Sequence, residues 1–301
     1  MILGHQKQWQ FLKAMAERES FPHAYLFSGP EKLGKKKIAL EWISLMLGQD
    51  LQKKSHPDLV LIEPEELDSK KTSTAKQEIK IDQIKDLIWK LSLKPSLASL
   101  KTAIIDGAHL MNQEAQTALL KTLEEPKGST LLILITDKAQ YLFPTILSRV
   151  QSLKFYPTEK AEIRKYLEEQ KIPQNQAEEI LEFCQGRPGV VIDFINDSQK
   201  IKVFEQRIKE LQKVITSSLA FRFKYAKDIS QESKTLKETL DIWLNYFRNI
   251  LLSRLEKGDN PKGYSSRKLG KILKFIQKIN FLISTTNVNS RLALENLMLE
   301  F

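Results

Sequence analysis

Five short apolar runs lie in the first half of the chain: Ala24 to Ser28, Leu59 to Glu63, Thr102 to Asp106, Leu131 to Thr136 and Ser152 to Phe155. Each is close to continuously hydrophobic and bounded by polar residues, which is how strands covered on both faces read. Between the runs, apolar residues recur at helical spacing. Ile38, Trp42, Ile43 and Met46 share one face, Ile84, Leu87, Ile88 and Leu91 another, and Ala115, Ala118, Leu119 and Leu123 a third. Strands alternating with amphipathic helices predict an α/β core, a parallel five-stranded sheet flanked by helices. Residues 65–77 (EELDSKKTSTAKQ) are polar without a period and read as a loop.

Past Pro157 no strand-type run returns. Thr158 is the expected N-cap of a helix through Gln170, a second helix is expected from about Asn175 to Gln185, and GRPG at 186–189 breaks the chain before a third. From about residue 201 the helices lengthen. One carries the stripe Leu236, Leu240, Trp243, Leu244, Phe247 and Leu251, and GDNPKG at 258–263 is a breaker. The 301 residues therefore divide into a core at 1–157, a small helical domain at 158–200 and an all-helical domain at 201–301.

Composition narrows the class further. No run approaches the roughly 18 apolar residues of a membrane span, and Met1 to Gln10 show no basic leader ahead of an apolar stretch, so a cytosolic protein is expected. The lone Cys184 and 4 scattered histidines offer neither an internal disulfide nor a structural zinc site. The net charge of +10 is concentrated late: residues 201–301 hold 19 Lys or Arg against 10 Asp or Glu. That excess suits nucleic acid or an acidic partner, and it equally suits a solvated lysine-rich surface. Phe221, Phe223 and Tyr225 interleaved with Arg222, Lys224 and Lys227 invite the first reading, although one helix with a core face and a surface face gives the same pattern.

Gly29 to Lys36 reads GPEKLGKK between a strand and a helix, the context of a phosphate-cradling loop. Gly29 and Gly34 let backbone N–H groups approach phosphates, and Lys35 stands where the phosphate-binding lysine belongs. The next position should carry the hydroxyl that holds magnesium, and it is Lys36. The strand Thr102 to Asp106 should end in two acids, one for the metal shell and one to activate water. Asp106 is present, but Gly107 replaces the second. Both halves of an ATPase site are thus in order and both are broken at their chemical atoms, so hydrolysis is not expected. Weak ATP or ADP binding through Lys35 and the loop backbone stays open.

The run HLMNQEAQTALLKTLEEP at 109–126, then LLILIT, then FPTILSRVQSLKF at 143–155, resembles the clamp-loader branch of the AAA+ ATPases. His23 to Phe27, His56-Pro57-Asp58, and Asn287-Val288-Asn289 with Arg291 to Glu295 are similar to the delta-prime subunits of bacterial DNA polymerase III. The resemblance covers nearly the whole chain. It implies an AAA+ core, a helical lid and a helical collar that joins a hetero-pentamer with motor (gamma/tau) and delta subunits, loading a sliding clamp on primed DNA.

Within that resemblance, Arg149, with Ser148 in Ser148-Arg149-Val150, matches the motif whose arginine reaches the ATP of a neighbouring subunit; Val150 stands where the family usually has cysteine. Arg187 in GRPG matches a lid arginine that touches nucleotide in active relatives, with capping beside Pro188 as the other reading. Thr136 matches a phosphate-sensing polar residue, with a plain strand end as the other reading. Many relatives carry a four-cysteine zinc module ahead of His56; residues 48–55 (GQDLQKKS) contain no cysteine, so no metal and no resident cofactor are expected. The implied role is a non-hydrolysing stator supplying Arg149 in trans. The rivals are an ATP-hydrolysing motor subunit and a basic nucleic-acid-binding protein on a vestigial core.

Overall fold

The computed structural model describes residues 3–18, 21–49, 56–66, 77–257, 264–285 and 288–301. The strands are β1 (Ala24–Ser28), β2 (Leu59–Ile62), the two-residue β3 (Glu65–Glu66) and β4 (Gln77–Glu78), β5 (Lys101–Asp106), β6 (Thr130–Thr136) and β7 (Gln151–Lys154). Five form one sheet in the order β2-β5-β6-β1-β7, every neighbouring pair parallel. All five expected runs are strands. β3 and β4 pair antiparallel, so the ends of the expected 65–77 loop form a short ribbon, while 67–76, 50–55 and the breaker at 258–263 lie outside the described residues.

Alternation along the strands sends side chains to two different cores. Ala24, Leu26, Ala103, Ile105, Leu132 and Leu134 pack with α3 (Ile81–Ser92) and α4 (Gln113–Glu124) on one face. Tyr25, Phe27, Ile104, Ile133 and Ile135 pack with α1 (Gln6–Glu17) and α2 (Lys35–Leu47) on the other. Trp42 of α2 is fully buried, its indole edge-on to Tyr25 with ring centroids 5.0 Å apart. The four-residue α5 (Pro144–Leu147) leads into β7.

The chain divides into two compact units, one running to Ile195 and the other from Asn196. The helices α6 (Lys160–Glu169), α7 (Gln174–Phe183) and α8 (Pro188–Asn196) follow the sheet. Thr158 does not cap α6. Glu159 stands at the N-cap without a side-chain bond, and the Thr158 hydroxyl is buried without a partner against Gly4. The second unit is all-helical: α9 (Ser198–Thr216), α10 (Leu219–Ile229), α11 (Ser233–Lys257), α12 (Ser266–Thr285) and α13 (Ser290–Met298). The α11 stripe is its spine, with Leu236, Leu240, Trp243 and Phe247 fully buried. The interleaved segment 221–227 is settled by packing. Phe221, Phe223 and Tyr225 lean on this core, and Arg222 donates to the carbonyls of Val214, Ile215, Ser217 and Met298.

One polar group anchors the edge of the sheet. The Asp58 carboxylate, wholly buried, accepts from the backbone N–H groups of Ser96, Leu97 and Ala98 (2.7–2.9 Å) and pairs with Lys101 at 2.7 Å. Burial by itself would raise its pKa, but the ammonium and the three amides outweigh burial and hold the carboxyl far below the usual range. The group therefore contributes stability that is complete above its ordinary pKa of 3.8 and is lost as pH falls from there towards the depressed folded value. Asp58→Ala leaves the Lys101 ammonium buried and unpaired, and the expected loss is about 3–5 kcal/mol by urea denaturation at neutral pH. Asp58→Asn is expected to flatten the acid limb of the stability–pH curve below about pH 4.

Candidate functional site

In a parallel sheet every strand ends at the same edge, and that edge collects most of the candidate residues. Gly29 follows β1, Asp106 ends β5 and Thr136 ends β6, with the Gly29 N–H bonded to the Thr136 carbonyl at 3.2 Å. The loop then turns into α2 through Gly34, whose φ of 86° is left-handed. Lys35 is buried, and its ammonium donates to the carbonyls of Gly29 and Pro30 (2.5 and 2.6 Å). Burial lowers its pKa against the pull of Asp137, Glu31 and Asp106. The Thr136 hydroxyl accepts from the Lys138 N–H at 3.0 Å and lies 3.2 Å from His109 Nδ1, which is also 3.1 Å from Asp137.

The two departures from an ATPase site differ in kind. Lys36 directs its ammonium onto Glu63 and to within 3.7 Å of Asp106 Oδ2, so a cation of the chain itself stands among the acids. Gly107 has φ +75°, opening the short turn Ala108–Leu110, and a side chain there is strained whatever the space around it. The missing acid is thus disfavoured by the backbone, at a strain of about 1 kcal/mol, and not by want of space.

Arg149 lies at the other edge. It sits two residues before β7, whose four residues span about 13 Å. Its guanidinium donates to the Thr145 carbonyl (2.9 Å) and the Ser148 hydroxyl (3.1 Å) and pairs with Glu124 at 2.8 Å. Candidate arginine and phosphate loop of one chain therefore occupy opposite ends of the sheet.

This division of groups sits in a chain whose residues 4–159 match the family model described as DNA polymerase III, delta subunit. That match covers more than half of the 301 residues. The chain belongs to this family. A DNA polymerase III subunit delta' of Pseudomonas aeruginosa is 35% identical over 159 residues, covering 48% of this chain and 45% of the relative, so the likeness spans under half of that protein. The subunit delta' of Bacillus subtilis is 28% identical over 263 residues, 81% of this chain and 76% of the relative. Among solved structures, a DNA polymerase III gamma subunit-related protein from Thermotoga maritima matches over 97% of both chains with TM-score 0.54 and 21% identity, a likeness of fold. The expected fold, a parallel five-stranded sheet flanked by helices and followed by helical segments, is borne out.

In this delta-family chain the helices after the sheet are tied to the phosphate loop. The Gly189 N–H, in the first turn of α8, donates to the Lys32 carbonyl at 2.7 Å, and the Lys32 ammonium pairs with Asp193 at 2.8 Å. Arg187 holds the N-cap position of α8, its carbonyl accepting from Val190 and Val191. Beside this bridge lies a cavity of about 230 Å³ whose apolar wall includes Leu3, Ile38, Tyr166, Pro188 and Ile192. His5 closes in on the loop from the N-terminal side, its Nε2 3.0 Å from the Leu33 carbonyl.

These residues do not fit a magnesium-bound nucleotide. The hydroxyl ligand is absent, an ammonium faces the remaining acids, and Lys35 is turned onto its own loop. Among the described residues no group of three His, Cys, Asp or Glu could hold a metal ion. Sequence reasoning missed Glu63, Glu124 and the Gly189–Lys32 contact. Glu63 alone carried a signal, as the polar end of an expected strand.

Gly189 is required by that contact, because a Cβ would sit 2.8 Å from the Lys32 carbonyl oxygen and 3.2 Å from its Cα. Gly189→Ala must push two backbones apart. The expected cost is about 1–3 kcal/mol, read as a lower urea midpoint at unchanged m-value.

Proposed function

We propose that this chain is a non-hydrolysing, delta-prime-like subunit of a DNA polymerase III clamp loader, with a core to residue 157, a lid to 200 and a collar beyond. It works as a stator beside motor and delta subunits while the assembly places a sliding clamp on primed DNA. Its chemical contribution is Arg149, offered to nucleotide held by a neighbouring subunit, where a guanidinium offsets charge developing on the transferred phosphoryl group. The observation that carries this reading is the separation of Arg149 from its own phosphate loop by the length of the sheet. Glu124 and the Thr145 carbonyl hold the guanidinium at the surface until a partner's phosphates compete for it. No cofactor acts in cis. The family match and the delta' relatives support the assembly.

The test is ATP turnover by the reconstituted loader with clamp and primed DNA. The isolated chain is expected to show none. Arg149→Ala is expected to leave assembly intact and to slow the site it serves by on the order of 10³-fold, removing that site's share of total turnover. Turnover by the isolated chain, or an Arg149→Ala loader as fast as wild type, would refute the reading.

A second reading, direct contact of the collar with nucleic acid, is favoured by α12. Arg267, Lys268, Lys271, Lys274 and Lys278 fall within Ser266–Thr285 without one acidic residue. Leu269, Ile272, Ile276 and Ile279 are buried, which leaves Arg267, Lys271, Lys274 and Lys278 exposed. Lys271 is paired with Glu300 at 2.8 Å. If α12 tracks a phosphate backbone, Lys274→Glu with Lys278→Glu will weaken binding of primed DNA and lower the salt slope by about 2 units. An unchanged slope assigns the charge to protein contacts or solvent.

A further inference from the structure

The start of α2 is the least favourable place in a helix for positive charge, because its free N–H groups already present the positive end of the helix dipole. Three consecutive lysines, Lys35, Lys36 and Lys37, nevertheless open it, with no acidic residue in the first turn. Two of them are accounted for locally: Lys35 by loop carbonyls, and Lys37 by Glu41 one turn on at 4.0 Å. Lys36 instead reaches across to the sheet. Its partners are Glu63, the residue after β2, and Asp106, the last residue of β5.

β2 and β5 are neighbouring parallel strands with Ile62 beside Ile105, so Glu63 and Asp106 leave the same edge side by side. Two carboxylates so placed repel each other unless a cation stands between them. Burial and the neighbouring Glu63 raise the pKa of Asp106, and Lys36 and Lys35 offset that rise only in part. In a nucleotide-hydrolysing protein the cation near such an acid is a divalent metal ion, held also by the hydroxyl that follows the loop lysine.

We propose that the Lys36 ammonium is the resident cation of this corner: it takes the place a divalent ion would need between Glu63 and Asp106 and ties the ends of β2 and β5 to the start of α2. The order of the site is then independent of metal. One substitution, Lys36→Thr, vacates the place and supplies a hydroxyl, which with the two carboxylates gives an oxygen-donor set for Mg²⁺ or Mn²⁺. The inference stands on the first unit alone, so it survives or fails irrespective of what Arg149 does in an assembly.

The experiment uses the full chain, Mn²⁺ as the probe, and two readouts: loss of the free-Mn²⁺ EPR signal and the thermal midpoint with and without the ion. Wild type is expected to leave the signal unchanged and to melt at one temperature in chelator and in millimolar Mn²⁺. Lys36→Thr is expected to melt about 2–4 °C lower in chelator, to recover in Mn²⁺, and to take up about one equivalent of the ion. Adding Asp106→Asn to Lys36→Thr should abolish both uptake and recovery. Lys36→Met removes the charge without offering an oxygen, and should show the lower midpoint with no recovery. Asp106-dependent Mn²⁺ uptake by wild type would overturn the proposal. So would a Lys36→Thr chain that melts with wild type in chelator, or one that gains no Mn²⁺ site. Should Lys36→Thr not fold, the Lys36→Met midpoint decides: equality with wild type refutes a structural cation.

Discussion

Parallelism of the sheet is the constraint on which the rest depends. Because all five strands run the same way, each connection must return across a face, and each face must be covered by helices. The same rule sorts the chemistry. Residues that end strands gather at one edge and residues that enter strands at the other, so Gly29, Asp106 and Thr136 are brought together without any contact specified among them, and Arg149 is kept away. Bonds at each edge reinforce the sorting. Gly29 bonds across to Thr136 at the first edge, and His23, just ahead of β1, meets the Leu123 carbonyl at the second, next to the Glu124 that holds Arg149.

Charge in the first unit is managed by pairing over long sequence distances. Asp58 and Lys101 are a buried pair, the carboxylate closed by three backbone N–H groups and the ammonium donating to the Pro57 carbonyl, and they hold the 96–98 segment against the edge strand. Lys36, Glu63 and Asp106 are half exposed, and each contact is correspondingly weak. Their importance is positional: the first group fixes where β5 begins, and the second occupies the place where it ends. One sheet edge thus carries a buried charge pair, and the other a half-exposed ammonium set between two carboxylates.

Most of the fold was legible because it follows from periodicity. β1 has the expected bounds, the other four strands differ by a residue at one or both ends, and α7 runs Gln174–Phe183 where Asn175 to Gln185 was expected. Of the α11 stripe, Leu236, Leu240, Trp243 and Phe247 are fully buried and Leu244 and Leu251 partly so. The loop residues were legible because a strand, two glycines and a lysine are contiguous. What periodicity could not supply was partnership. Lys36 with Glu63, Arg149 with Glu124 and Gly189 with Lys32 join residues whose proximity follows from the strand order β2-β5-β6-β1-β7 and from how α8 returns to the loop. Thr158 failed as a cap for a related reason. Its hydroxyl is packed on Gly4, far away in sequence, and the helix begins after Glu159 instead. A local capping preference lost to a tertiary contact.

The two departures from an ATPase pattern, at Lys36 and Gly107, also differ in physical kind. At the metal corner the departure is a side chain, Lys36, whose effect on the two acids is electrostatic and is open to a single exchange. Absence of the water-activating acid rests on the main chain: at φ +75° a glutamate in place of Gly107 carries left-handed strain of roughly 1 kcal/mol or more before it meets any substrate. A hydroxyl at position 36 would leave this second departure untouched, because a carboxylate at position 107 would still have to be placed by a turn built for glycine. The same turn positions Leu110, whose carbonyl accepts from Ile79 just ahead of α3. Reshaping it for a catalytic side chain would disturb the contact that sets α3 against the sheet, so this turn serves the fold before it serves any chemistry.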